Sequence, residues 1–159
     1  MSVTVRLAKR EELERVNQLR KMVNDVHTGS RPDIFRKDFC DELREHIYEK
    51  FDNESSDVIV AVKDGVIDGF AVVDYVHKPQ TLYSNARSYY NVVEFGVDEN
   101  YRRQGIATKL MEFMKADAAA KDFDRIELDM WEFNEGALKF YESVGFKTYR
   151  RYMEMDLQQ

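Results

Sequence analysis

A single cysteine, Cys40, and only two prolines stand among the 159 residues. One thiol cannot build an internal disulfide framework, and it suits a reducing compartment. The three histidines, His27, His46 and His77, are scattered, so no metal-ligand spacing is present and no metal is expected. No apolar run approaches membrane-spanning length. The opening Met1-Ser2-Val3-Thr4-Val5-Arg6 lacks the apolar stretch of a signal peptide. These absences lead to the expectation of a soluble, cytoplasmic protein without membrane contact. A basic excess is missing too. Lys and Arg number 24 against 30 Asp and Glu, a net charge of −6. That disfavours non-specific nucleic-acid binding and mildly favours cationic partners such as amines.

What is present is the composition of an ordinary globular protein. Hydrophobic residues make up 43% and charged residues 34%, enough apolar material for a buried core. At this length one domain, 1–159, is expected.

Val3, Val5 and Leu7 alternate and predict a first strand. From Lys9 to Val26 the apolar Leu13, Val16, Leu19, Val23 and Val26 step by three and four, an amphipathic helix. The run from His27 through Gly29 and Pro32 to Asp33 should break it. Phe39, Leu43 and Ile47 mark a second helix, about Lys37 to Glu49. Asp57 to Lys63 is nearly continuous apolar and reads as a strand buried on both faces. Asp64-Gly65 signals a hairpin, with a return strand from Val66 to about Val76. His77 to Asn91 has no clear period and reads as a loop. Val93, Phe95 and Val97 then alternate as a strand.

Ile106, Leu110, Met114 and Ala118 follow at steps of four, a helix opened by Gly105. The short loop between strand and helix carries Arg102 and Arg103. Free N–H groups and the positive dipole end at a helix start make an anion site. Gly105 and Ala107 leave room for a phosphate to reach the backbone. The spacing is neither a Walker loop nor Gly-x-Gly-x-x-Gly. Read alone, it is a pyrophosphate cradle or a basic turn capping an ordinary helix.

Arg125 to Trp131 alternates and predicts a fifth strand. Asn134 is a good N-cap, Ala137 to Val144 a short helix, and Gly145 its stop. Lys147 to Leu157 alternates Tyr and Met with charge and predicts a last strand. A helix that joins two strands implies a parallel pair inside a mixed sheet.

Arg102-x-x-Gly105-x-Ala107 resembles the Arg/Gln-x-x-Gly-x-Gly/Ala signature of the GNAT acyltransferases. Asn134-x-x-Ala137-x-x-Phe140-Tyr141-x-x-x-Gly145-Phe146 looks like a second segment of the same family, in the right order. Departures are small. Ala107 takes the second-glycine position, and Asn100 stands where proline or an acid is common. The resemblance implies an α/β, GNAT-type acyl-CoA N-acyltransferase fold, a splayed mixed sheet flanked by helices. It implies acetyl-CoA as co-substrate, with its pantetheine paired along the strand of Phe95 and Val97. Its pyrophosphate would meet Arg102, Arg103, Gln104, Gly105, Ile106, Ala107 and Thr108.

Under the resemblance Asn134 contacts the pantetheine amide besides capping its helix. Tyr141 lies near the sulfur and protonates the leaving thiolate, or is a core tyrosine packed on Phe146. Glu94 is a general base acting through water, or a solvent-facing strand residue. His27, Asp33 and Phe35 border the acceptor pocket, with Tyr75 as a further lining residue. The implied reaction is transfer of acetyl to a primary amine of a small molecule by direct attack. No cysteine stands in the motif strands to carry an acyl intermediate. Other readings are a protein N-terminal or lysine acetyltransferase, and a non-catalytic acyl-CoA sensor on the same fold. A homodimer is compatible with each.

Overall fold

The computed structural model describes residues 2–158. The chain folds as two compact units, residues 1–129 and 130–159.

The first unit is a five-stranded sheet with three helices. Its strands are β1 (Thr4–Leu7), β2 (Ser56–Lys63), β3 (Val66–Lys78), β4 (Arg87–Val97) and β5 (Ile126–Glu127). They lie in sequence order. The first three pairings are antiparallel, and β4 with β5 is parallel. The parallel pair is the one joined by a helix, α3 (Ile106–Ala120), because a parallel crossover needs a dozen or more residues. β2 and β3 meet in a two-residue turn in which Asp64 (φ 53°) and Gly65 (φ 76°) are both left-handed, the geometry that matches strand twist.

Strand alternation sorts the core into two layers. Val58, Val60, Phe70 and Val72 pack with Leu13, Val16 and Leu19 of α1 (Leu13–Ser30) and Ile47 of α2 (Asp41–Asp52). The other face carries α3 through buried Ile106, Leu110, Met111, Met114 and Ala118. Two glycines let the helices close in. A Cβ on Gly69 would lie 2.9 Å from Ile106 Cγ2, and one on Gly96 would lie 2.7 Å from Val23 Cγ2. Each helix therefore sits directly on backbone.

A bulge interrupts β4. Val72 pairs with Glu94 but Val73 pairs with Val92, so Val93 is the extra residue. It is 42% exposed, while Val92 is buried. Such an insertion bends the strand and increases its twist.

The second unit holds one helix, α4 (Glu135–Ser143). Asn134 Oδ1 accepts from the Ala137 N–H at 3.1 Å. Gly145 is left-handed (φ 109°), and the Phe146 N–H returns to the Tyr141 carbonyl at 2.9 Å.

Several expected boundaries are corrected. α1 runs through His27 and Gly29 to Ser30, and α2 starts only at Asp41. β3 reaches Lys78, and β4 begins at Arg87 within the stretch expected to be loop. The fifth strand contracts to Ile126–Glu127. Residues 147–157 form no strand, and Tyr152, Met153, Met155 and Leu157 are exposed.

Candidate active site

The loop between β4 and α3 is held from below before it reaches the helix. Asp98 is buried at the end of β4. One of its oxygens accepts from the Asn100 N–H at 3.0 Å, and the other from Arg15 at 2.8 Å. Burial opposes its ionisation, but the Asn100 N–H and Arg15 outweigh that and hold the carboxyl below the usual Asp range. Farther along, Gln104 Oε1 accepts from Lys63 Nζ of β2 at 2.8 Å.

Around the second anchor the backbone turns left-handed twice, at Arg103 (φ 64°) and Gly105 (φ 79°). A positive φ is uncommon for a residue with a side chain and natural for glycine. Gly105 is the N-cap of α3, so the Ile106, Ala107 and Thr108 N–H groups belong to the unpaired first turn. A Cβ on Gly105 would meet nothing within 4 Å. The space beside Gly105 is thus open, and Arg102, Arg103 and Gln104 are exposed next to it. The chemistry of this set is anion binding.

Phe95 and Val97 lie on β4 just before that loop. β5 pairs only with Tyr90 and Asn91, so it does not cover the strand beyond Asn91.

Glu94 points to the α1 face of the sheet, opposite Phe95, since it pairs with Val72 and Phe95 pairs with Ala71. There it meets a residue that sequence reasoning missed. Arg20 Nε donates to the two Glu94 oxygens at 3.2 and 3.0 Å. Arg20 also donates to the Leu43 carbonyl at 2.7 Å and to Asn17 Oδ1 at 2.8 Å. Its guanidinium lies 5.5 Å from the Phe39 ring centroid. The available signal was a charged residue on the inner stripe of α1, four positions after Val16 and three before Val23.

His27 and Phe35 come together, with ring centroids 5.1 Å apart. His27 Nδ1 lies 2.8 Å from the Val23 carbonyl. Phe35 lines a cavity of about 480 Å³ with Asp25, Thr28, Gly29, Pro32 and Lys37. It also lines a second cavity of about 370 Å³, shared with Asn24, Asp38, Glu42 and Leu43 among others. Asp33 is exposed and paired with Arg31 at 2.9 Å. Tyr75 does not join this group. It stands on the α3 face of β3, donates its hydroxyl to Asp57, and stacks on Phe123 at 5.8 Å.

In the second unit Tyr141 packs edge-on to Phe146, ring centroids 5.7 Å apart. Burial pushes its hydroxyl up to about 12. Among the described residues no cluster of three metal-capable side chains occurs. No helix among them is long and apolar enough to cross a membrane.

Comparison with known proteins bears on the family and the fold. N-alpha-acetyltransferase 30 of Schizosaccharomyces pombe is 29% identical over 124 residues, covering 74% of this chain and 76% of that protein. The crystal structure of a tetramutant of the BH1408 protein from Bacillus halodurans superposes with a TM-score of 0.92. It is 29% identical and covers 97% of this chain and 99% of the other. Aminoglycoside N-acetyltransferase AAC(6')-Iy, solved with CoA, shares the fold at 18% identity and a TM-score of 0.77, over 99% and 96% of the two chains. The sequence profile of the acetyltransferase (GNAT) family matches residues 16–146, and the chain belongs to that family.

Proposed function

We propose that the protein is an N-acetyltransferase that uses acetyl-CoA to acetylate a primary amine of a small molecule by direct attack. The observation that carries this reading is the open, left-handed Gly105 at the N-terminus of α3. The residues fit a pyrophosphate there, with three first-turn N–H groups, two arginines and nothing in front of Gly105.

Acetyl-CoA supplies the acetyl group as an activated thioester. Ile106, Ala107 and Thr108 bind its phosphates through backbone N–H groups, with Arg102, Arg103 and Gln104 at the rim. Phe95 and Val97 offer the β4 backbone to the pantetheine as an added strand would, and Asn134 contacts its amide. Tyr141 donates the proton to the departing sulfur. A hydroxyl raised to about 12 stays protonated at working pH, which suits a donor. Glu94 takes the amine proton through water, and Arg20 fixes both its oxygens. His27, Asp33 and Phe35 border the acceptor, and Tyr75, on the other face of the sheet, takes no part in that lining.

The amine must be neutral to attack. At pH 7 that costs roughly 4.6 kcal/mol for a lysine-like amine and about 1 kcal/mol for an α-amine. The alkyl case therefore depends on a base more heavily. Both units form one domain in this reading, as the family match runs across residues 129 and 130. The single cysteine favours a cytoplasmic site of action.

Calorimetry with CoA, then an amine panel followed by thiol release, tests the proposal. A folded protein that ignores CoA would sink it. A second reading makes the acceptor a polypeptide α-amine. It is favoured by the likeness to an N-alpha-acetyltransferase. Turnover of free-amino peptides above all small amines would select it.

A further inference from the structure

Among the described residues Asp68 is wholly buried, and neither of its carboxyl oxygens has a hydrogen-bond partner. It is the extra residue of a second bulge. Val62 pairs with Ile67 and Ala61 with Gly69, so Asp68 has no opposite number on β2. Bulges re-aim side chains, often beside active sites. Here the main chain matters as much, because the Asp68 carbonyl accepts from the Asp98 N–H at 2.8 Å. Asp98 is the residue that anchors the loop between β4 and α3. No ligand atom reaches a carboxyl so enclosed, but a proton does.

The charged groups around it come from three elements. Arg15 of α1 and Lys63 of β2 attract its negative form, and Asp98 at the end of β4 repels it. Burial outweighs the two cations and raises the carboxyl above the usual Asp range. Arg15 is committed elsewhere, since it donates to the Ile67 carbonyl at 3.0 Å and to Asp98 at 2.8 Å. Lys63 is the exchangeable cation. Its Nζ donates to a neutral amide oxygen, Gln104 Oε1, at 2.8 Å. A carboxylate is a stronger partner for an ammonium than a neutral oxygen is. An ionised Asp68 therefore competes with Gln104 for the same lysine.

We propose that Asp68 is a proton-operated latch on the cofactor loop. Neutral, it leaves Lys63 on Gln104 and the loop held in place. Ionised, it draws Lys63 away from Gln104 and loosens the loop, so CoA binds more weakly as pH rises. The proposal rests on the CoA placement in the proposed function. The sign follows from linkage. A carboxyl raised in the folded state gives stability that is complete below the unfolded value and lost as pH rises through the folded one. The held loop is thus favoured toward acid, and by reciprocity CoA takes up a proton when it binds that loop.

Calorimetry on the wild type and Asp68→Asn, from about pH 5 to about pH 8, tests the latch. Asparagine has the shape of the neutral acid and cannot ionise. The two proteins should bind CoA alike at the acid end, and the wild type should fall behind by at least about threefold toward the alkaline end. Their ratio cancels the titration of CoA's own phosphate. Lys63→Met removes the competing cation. Its affinity should already be lower at the acid end, and its pH dependence should move to higher pH or flatten. Parallel profiles for wild type and Asp68→Asn would overturn the proposal. So would an unmoved profile in Lys63→Met, since Lys63 is then not the moving part. Should Asp68→Asn not fold, the wild type decides alone. Dephospho-CoA, which lacks the titrating phosphate, should bind with proton uptake, read from the enthalpy in buffers of different ionisation heat. No uptake would overturn the latch. Failure of the proposed function shows up differently, as absent CoA binding at every pH.

Discussion

Arg20 and Glu94, 74 positions apart in the chain, form an ion pair in which one partner is wholly inside. The Arg20 side chain is 1% exposed and that of Glu94 is 31% exposed. The same guanidinium spans three elements, because it also satisfies the Leu43 carbonyl of α2.

Arg20→Ala should therefore destabilise the fold. Breaking a buried pair from one side costs about 3–5 kcal/mol, and the partial exposure of Glu94 argues for the low end. Urea denaturation would measure the change as a lower midpoint with little change in slope. A loss below about 1 kcal/mol would mean that water replaces the guanidinium at Glu94 and Leu43.

Gly105 separates two effects that usually travel together. Gly105→Ala meets no neighbour but must hold a left-handed backbone, which costs roughly 1–2 kcal/mol of stability. Gly105→Glu adds charge and bulk to the cradle. Calorimetry should show CoA affinity down more than about tenfold for Glu, from charge repulsion worth above 1.4 kcal/mol, and much less for Ala. Equal CoA affinity in both variants would place the phosphates elsewhere.

Tyr141→Phe keeps the ring against Phe146 and removes only the hydroxyl. With that hydroxyl as proton donor, kcat should fall about 10²-fold or more while CoA affinity holds. The wild-type profile should carry no Tyr141 limb below about pH 12, where burial has put its ionisation. Turnover within about threefold of wild type would make the residue packing alone.

Glu12 predicts an acid-stability limb. Both its oxygens accept from Arg6, at 2.8 and 2.9 Å, and one also caps the Lys9 N–H at 2.8 Å. Arg6 first, then the Lys9 N–H, lower its pKa from 4.5 to about 2 against the opposing effect of burial. A depressed folded-state pKa gives stability that is complete above the unfolded value and lost as pH falls through the folded one. After solvent screening of a surface pair the contribution is on the order of 1 kcal/mol. Melting temperature followed from pH 5 to about pH 2 should fall less steeply in Glu12→Gln than in wild type. Parallel curves would assign the acid limb to other carboxylates.

The parts legible in the sequence were those set by local chemistry. Asp64-Gly65 dictated a hairpin, Asn134 a cap, and Gly105 a helix start, because each relies on its own backbone or near neighbours. The burial of β2 on both faces followed from its nearly continuous apolar run. What escaped depended on distant partners. Gly29 did not stop α1, since one exposed glycine costs a helix only about 1 kcal/mol, and the stop came at Arg31-Pro32. Residues 147–157 alternate as a strand does, but alternation supplies no ladder, and without one the segment stays irregular. The Arg20–Glu94 pair arises from packing of α1 against β4. No spacing within either element encodes it.

The extra residue at Val93 has an arithmetic consequence. In a regular strand, residues two apart share a face. Across this bulge they do not: Val92 follows Val73 toward α3, while Glu94 follows Val72 toward α1. One added residue thus acts as a parity switch, letting a single strand aim residues two apart at opposite faces. Deleting it would force either Val92 onto the α1 face or the Glu94 carboxylate beneath α3. A single-codon loss here would accordingly be far more damaging than most point substitutions in β4.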